Sequence, residues 1–421
     1  MLAKRMAHDS TEQCDVAVVG AGPAGLAAAA KLKHLGVARV LMIDRENDPG
    51  GIPRHCGHYP FGLREFGRLL RGPDYAARLA DQAAKAGVTF LSRSTVTALK
   101  PGPTLEVSTP DGMLTVQAKR VLLATGTREK SRAQRFIGGT KPGGVLSTGA
   151  LQGLVYLDKL VPFRRPVVVG TELVAFSALL TCRHAGIRPV AMIEPQDRIT
   201  AYRGSELLPK LFGVPLYLRT TLRRILGGSR VEAAEIEDRQ GNLTLIETDG
   251  VIVTGQFLSE APLVRDSHLQ LNRYSGGPDI DQFMRLSDPS YFAAGNILRP
   301  VETAGWCWSE GRKAAHAICA SLSGELLDRG KGHNEALYLD VIDAPLKFAI
   351  PQRIVACGSR AGLNAVQLRV TRPVRGQLTV RVGDQIVLRK PVSTLPERRL
   401  VIPLSSLRPG SCGRATLSIA E

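Results

Sequence analysis

The sequence predicts an α/β protein with two βαβ units and a small all-β domain at its C-terminal end. Three observations carry this. Asp15-Val16-Ala17-Val18-Val19 is a short apolar run that enters Gly20-Ala21-Gly22-Pro23-Ala24-Gly25 and then an Ala-rich helical stretch. A second strand–loop–helix–strand pattern starts at Pro166-Val167-Val168-Val169-Gly170 and ends at Val190-Ala191-Met192-Ile193. Beyond Pro345 the pattern changes to alternating strands such as Gln377-Leu378-Thr379-Val380-Arg381-Val382, separated by turn residues.

The first helix should run from about Pro23 to Leu35, ended by Gly36, with Arg39-Val40-Leu41-Met42-Ile43 as the next strand. These strands are continuous apolar runs, as expected in a parallel sheet covered on both faces. Val121-Leu122-Leu123-Ala124 and Tyr291-Phe292-Ala293-Ala294 read as later strands of the same kind. Lys141–Arg165, rich in Gly and Pro, reads as a connection between domains, and Leu327–Glu335 as a polar linker.

The 421 residues suffice for two or three domains, and 44% hydrophobic with 22% charged residues is ordinary for a globular chain. No apolar run reaches the ~18 residues of a membrane helix, so no transmembrane segment is expected. The charged N-terminus lacks the apolar stretch of a secretory signal, and a cytoplasmic location is expected. The seven cysteines (14, 56, 182, 307, 319, 357 and 412) form no CxxC pair and no zinc or iron–sulfur spacing, so no metal is expected. Net charge is +17, and 13 Lys or Arg against 3 Asp or Glu put +10 between Pro345 and Glu421. This is either a solvated Arg-rich surface or a field that attracts an acidic partner. Without interleaved aromatics or RNA-binding motifs, no nucleic-acid partner is expected.

The first loop has a mechanical reading. Gly20 permits a tight turn off the strand. Gly22 lets backbone approach a pyrophosphate. Gly25 lets the helix pack close to the sheet. Phosphates would then meet the helix N-terminus at Pro23 and Ala24, where free N–H groups and the dipole favour negative charge. Asp44, 24 residues after Gly20 and followed by Arg45, stands where a carboxylate accepts the ribose hydroxyls of a dinucleotide. The order of strand, loop, helix, strand and acid makes this a Rossmann-type site.

FAD and NAD both fit such a loop. The rest of the chain resembles the large FAD/NAD-linked (pyridine nucleotide-disulfide reductase-like) superfamily. Three segments carry the resemblance: Gly20–Gly25 with Asp44 and Gly50-Gly51, then Val121-Leu122-Leu123-Ala124-Thr125-Gly126, then Tyr291-Phe292-Ala293-Ala294-Gly295-Asn296. The resemblance implies FAD and two Rossmann-like dinucleotide-binding domains, the second inserted in the first. Residues 1–155 and 256–330 would bind FAD, 156–255 would be the inserted NAD(P)-binding-like domain, and 345–421 the β domain. It implies FAD contacts at Gly51, the Val96 backbone, Ala124, Thr125, Gly126, Gly295, Asn296, Thr303 and Ala304. Asn296 departs from the usual aspartate: it can hydrogen-bond a hydroxyl but carries no charge.

Gly50-Gly51-Ile52-Pro53-Arg54-His55-Cys56-Gly57-His58, Phe61-Gly62, Gly72-Pro73-Asp74-Tyr75-Ala76 and Ile350-Pro351-Gln352-Arg353-Ile354 extend the resemblance to a bacterial subgroup. Its members are associated with glycerol-3-phosphate, amine, opine or hydroxyproline dehydrogenase systems. A partner dehydrogenase or electron-transfer subunit follows as an expectation.

The second loop breaks the pattern. Gly170-Thr171-Glu172-Leu173-Val174-Ala175 puts a glutamate where relatives carry a small residue. Its bulk and charge oppose a pyrophosphate, at a cost on the order of a few kcal/mol, so binding of NAD(P) is in doubt. The other reading turns Glu172 outward or onto the helix, with NAD(P)H still bound and Glu194 as its ribose acid. For catalysis, His58, with His55 beside it, is the first candidate to take a proton while a hydride goes to flavin N5, and Glu302 is the next. Cys56 is either a thiol with lowered pKa beside histidine or a core filler, and a Cys56–Cys307 shuttle has no recognised spacing. Trp306 or Trp308 either walls the flavin pocket or packs a domain interface. The expected function is an FAD-dependent dehydrogenase or oxidase, or part of one, acting on a small polar metabolite. The alternatives are an NAD(P)H-dependent flavin oxidoreductase and an FAD electron-transfer or scaffold subunit.

Overall fold

The computed structural model describes residues 10–421 except 203, 327–335, 343, 357–358, 360, 397 and 408–412. The predicted linker Leu327–Glu335, Cys357 and Cys412 lie outside the described residues. The chain forms two compact units: residues 1–51, 76–127 and 259–421 in one, and 52–75 and 128–258 in the other.

The first unit opens with β1 (Ser10–Val19), α1 (Pro23–His34) and β2 (Val40–Ile43). It continues with β3 (Thr89–Leu91), β4 (Thr95–Lys100), β5 (Thr104–Thr109) and β6 (Gly112–Leu123). β1 pairs in parallel with β2 on one side and with β6 on the other. The buried residues of α1 are Ala24–Ala29 and Leu32. Small side chains over this span let the helix sit close to its neighbours on two sides. β4 and β5 extend the sheet from β6 in antiparallel fashion and leave β4 at the edge.

The second unit contains β7 (Val145–Ser147), α2 (Thr148–Gln152), β8 (Pro166–Val169), α3 (Leu173–His184), β9 (Ala191–Glu194), β10 (Leu216–Leu218) and β11 (Gly250–Val253). Its parallel sheet runs β10-β9-β8-β11-β7. Segment 141–165 is therefore not a connector. It supplies β7 and α2, and Leu151, Val155 and Phe163 are buried in one core with Val168, Phe176 and Leu179. Gly and Pro misled because they punctuate short elements as well as linkers.

The chain returns to the first unit through β12 (Tyr291–Ala293), parallel to β6, and the long α4 (Ala304–Leu322). The β domain begins at Ala336, earlier than its sequence pattern suggested: β13 (Ala336–Val341), β14 (Leu346–Ile350), β15 (Arg353–Val355), β16 (Ala365–Val370), β17 (Val374–Val382), β18 (Gln385–Thr394), β19 (Leu400–Pro403) and β20 (Gly413–Ala420). The two sheets, β15-β13-β20-β17-β18 and β14-β16-β19, share a core of Leu337, Val366, Leu368, Val380, Ile402 and Leu417. Among the described residues no helix is long and apolar enough to cross a membrane.

Candidate functional site

β1 delivers the chain to Gly20 with φ +104°, a left-handed value that a side chain would resist. A Cβ on Gly25 would lie 1.9 Å from the Gly20 carbonyl oxygen, so only glycine lets α1 start against the turn. A Cβ on Gly22 would meet nothing within 4 Å: the loop is open there. Gly22 is the N-cap of α1 and supplies no side-chain cap, and Pro23 fills the first turn without an N–H to satisfy. The N–H groups of Ala24 and Gly25 are left for an anion. Gly51, at φ +61°, lies on the same side, where its Cβ would come 2.8 Å from the Gly22 Cα.

The half-buried Asp44 ends β2. Its Oδ2 accepts the Ala21 N–H at 2.5 Å and its Oδ1 the Glu46 N–H at 2.8 Å. Two bonds hold the carboxylate at the mouth of the loop and leave lone pairs for hydroxyl donors. Arg45 is exposed and lies 3.8 Å from the Glu46 carboxylate. Val96 is buried on the edge strand β4, beside an irregularity in its pairing with β5.

Across the sheet, Ala124 follows β6, the Thr125 hydroxyl donates to the Glu260 carbonyl at 2.6 Å, and Gly126 takes φ +80°. Gly295, also at φ +80°, would bring a Cβ within 2.8 Å of the Ala24 Cβ. Asn296 donates from Nδ2 to the Glu302 carbonyl at 3.1 Å and accepts the Glu302 N–H at 2.7 Å. An aspartate cannot make the first bond, and this closure of the 296–302 loop is the physical reason for the amide. Thr303 is the exposed N-cap of α4 and Ala304 its first residue. One residue escaped the sequence reading: a Cβ on Gly311 would lie 2.0 Å from the Ala24 carbonyl oxygen. Its only trace in sequence is a glycine within an otherwise continuous helical stretch.

The second loop repeats this backbone with different chemistry. Gly170 has φ +107°. Glu172 occupies the N-cap of α3, where Gly22 stands in α1, and makes no capping bond. Its carboxylate folds back instead, and Oε1 accepts the Gln256 N–H at 2.9 Å. Gly255, at φ +70°, provides the room: a Cβ there would lie 2.3 Å from the Glu172 Cδ. Burial raises the Glu172 pKa, opposed by the Gln256 N–H and by Arg135. Glu194, unlike the half-buried Asp44, is withdrawn from solvent. It is buried and accepts the Thr171 hydroxyl, the Gln196 N–H at 3.0 Å and the Thr200 hydroxyl at 3.5 Å. The loop side chain and the strand-end acid are both bound by the protein itself. The structure thus adds a form neither sequence reading held: Glu172 turns neither outward nor onto its helix. These residues do not fit a pyridine dinucleotide.

Of the catalytic candidates, Cys56 and His58 belong to the second unit and Glu302 to the first. Cys56 is no thiolate. Its thiol is buried, donates to the Ile52 carbonyl at 3.4 Å and to Gln152 Oε1 at 3.5 Å, and burial pushes its pKa up to about 12. Cys307 is buried in the other unit with its pKa also raised by burial, so neither thiol suits a shuttle. Glu302 is not a proton acceptor either. It is 6% exposed and is held by Arg369 at 2.6 Å, Arg399 and Gln367. Burial works against its charge, yet Arg299, Arg369 and Arg399 outweigh it and keep the pKa low. The sequence missed this because the partners lie 65 to 97 residues away. His58 retains the features of a base. Its Nδ1 lies 2.9 Å from the Tyr59 carbonyl, which favours the Nδ1–H tautomer, and Nε2 accepts the Ser177 hydroxyl at 2.5 Å. Burial lowers the neighbouring His55 to about 4. Guanidinium groups cover both tryptophans, Arg399 at 3.8 Å from the Trp306 ring and Arg312 at 4.8 Å from the Trp308 ring.

A glycine turn open over Gly22, a strand-end acid and a second domain of the same build inserted in the first define the two-domain FAD/NAD-linked fold. Residues 14–320 match the family described as pyridine nucleotide-disulphide oxidoreductase. The chain belongs to that family and is an FAD-dependent oxidoreductase. One subunit of the opine oxidase of Rhizobium meliloti (strain 1021) is 31% identical over 77% of this chain and 76% of its own length. The alpha subunit of sarcosine oxidase from the same organism is 26% identical over 74% of this chain, which spans only 31% of that subunit. Among solved structures, the thioredoxin reductase of T. acidophilum shares the fold at a TM-score of 0.62, with 24% identity over 74% of this chain and 99% of its own.

Proposed function

We propose that this chain is the FAD-bearing part of a dehydrogenase or oxidase that takes a hydride from a small polar metabolite, and that it does not draw electrons from NAD(P)H. The observation that carries the reading is the second loop, where Glu172 and Glu194 are both bound within the protein. FAD would be held by the Gly20–Gly25 loop with Gly51, by Asp44 and Arg45, by the Val96 backbone and by 124–126, 295–296 and 303–304. Bound there, it supplies the hydride acceptor. The relatives named for opine and sarcosine oxidation make an N-substituted amino acid the first substrate class to test. On such a substrate, bound FAD would supply the acceptor for the C–H hydride, a base of the protein would take the N–H proton, and the imine so formed would take up water. His58 is proposed as the base, its Nε2 being the lone-pair nitrogen that accepts a hydrogen bond from the Ser177 hydroxyl. Partner subunits follow from the same relatives, both named as subunits.

The test is anaerobic bleaching of the flavin band at ~450 nm against a panel of N-substituted amino acids and simple amines. Bleaching by one class, lost in His58→Gln, supports the reading. A panel that leaves the band intact removes this substrate class.

A further inference from the structure

A chain of buried polar contacts runs from the Gly295 turn into the C-terminal β domain. Glu310, on α4, accepts the Gly295 N–H at 3.2 Å and the Arg299 guanidinium at 3.0 Å. Arg299, 1% exposed, places its Nε 3.9 Å from Glu302 in an ion pair, and that atom makes no hydrogen bond among the described residues. Glu302 is in turn held by Gln367 and Arg369 of β16 and by Arg399 just before β19. The backbone of Glu302 closes the Asn296 loop from the other direction. Arg399 also stacks on Trp306 in the first turn of α4. Five charged side chains meet here: three guanidinium groups and two carboxylates, an excess of one positive charge.

Burying such a cluster only to join two domains is costly, because well-packed apolar residues would do as well or better. What apolar residues cannot do is fix the direction of a loop through several oriented bonds and leave net charge beside it.

We propose that the β domain is a working part of the flavin site: Gln367, Arg369 and Arg399 are positioning residues that hold Glu302, and through it the Gly295–Asn296 turn and the start of α4, in the form that takes FAD. This rests on the reading that residues 295–304 lie against the flavin. The excess positive charge would favour the reduced flavin, which carries a negative charge at neutral pH.

The test uses the full-length holoprotein and three variants. Arg369→Met and Arg399→Gln each remove one guanidinium. Arg399 is partly exposed, so its replacement should leave the chain folded. Thr303→Trp places an indole at the exposed N-cap of α4. FAD affinity is measured by titrating apoprotein, and the flavin midpoint potential by dye equilibration. The proposal expects at least tenfold weaker FAD binding and a more negative midpoint in both arginine variants, with Arg399→Lys recovering part of each. FAD affinity within twofold of wild type and an unmoved potential in both arginine variants, with FAD lost in Thr303→Trp, overturns it and leaves the flavin reading intact. Unchanged affinity in Thr303→Trp overturns the flavin reading and the proposal together.

Discussion

Gly311→Ala is the sharpest test of how the phosphate loop is held. The added Cβ would lie 2.0 Å from the Ala24 carbonyl oxygen, 2.8 Å from its carbon and 3.0 Å from its Cα. All three are backbone atoms, so no rotamer relieves the clash. Restoring a contact near ~3.4 Å parts the helices by roughly 1.4 Å if they move as rigid bodies, and close-packed interiors do not absorb that. Overpacking of this kind costs about 1–3 kcal/mol, with this contact at the upper end. For a unit of this size that lowers Tm by about 5–10 °C. The displaced element is α1, whose first turn carries the N–H groups of Ala24 and Gly25. FAD affinity should therefore fall with stability, by at least about tenfold, since ~1.4 kcal/mol lost from the phosphate contacts is enough. The assay is the ratio of flavin to protein absorbance after gel filtration, with Tm by scanning calorimetry. Gly153→Ala is the control. Gly153 has helical torsions and an added Cβ meets nothing within 4 Å, so it should be neutral or slightly stabilising. A Gly311→Ala protein with full flavin content and unchanged Tm would refute the packing argument.

Three further outcomes follow. Glu172→Ala frees the Gln256 N–H and removes a carboxylate from the loop, so NADH affinity by equilibrium dialysis should rise by about tenfold or more. No gain would mean that Glu172 is not what closes the loop. Cys56, with its thiol pushed up to about 12 by burial, should resist iodoacetamide in the native protein at pH 8, and Cys56→Ser should keep full flavin reduction by substrate. His55 is lowered from 6.5 to about 4, so the unfolded chain takes up its proton first as pH falls. Its contribution is fully present above pH 6.5 and is lost down to about pH 4, about 3 kcal/mol in all. His55→Asn should flatten that part of the stability–pH curve.

What the sequence made legible was local. Gly20, Gly22 and Gly25 could be assigned because each answers a constraint set by the strand before it and the helix after it. Asp44 and Glu194 could be placed because strand ends fall at fixed offsets from such loops. What escaped depends on side-chain direction or on distant partners. Glu172 was visible as an anomaly, but its fold onto Gly255 and Gln256 was not. Glu302 looked like a base until Gln367, Arg369 and Arg399 arrived from another domain. Asn296 looked like a weakened aspartate, whereas its amide is needed to close its own loop. Lys141–Arg165 looked like a linker because Gly and Pro interrupt its apolar residues, yet Leu151, Val155 and Phe163 are core.

If one dinucleotide fold of this chain works and the other is closed by its own side chains, the flavin should be blind to pyridine nucleotides. Rapid anaerobic mixing of the holoprotein with NADH, with NADPH and with an N-substituted amino acid, following flavin absorbance, tests this most directly. The expected result is an unbleached flavin with both pyridine nucleotides and bleaching by the organic substrate. Fast bleaching of the wild-type flavin by NADH or NADPH would contradict it.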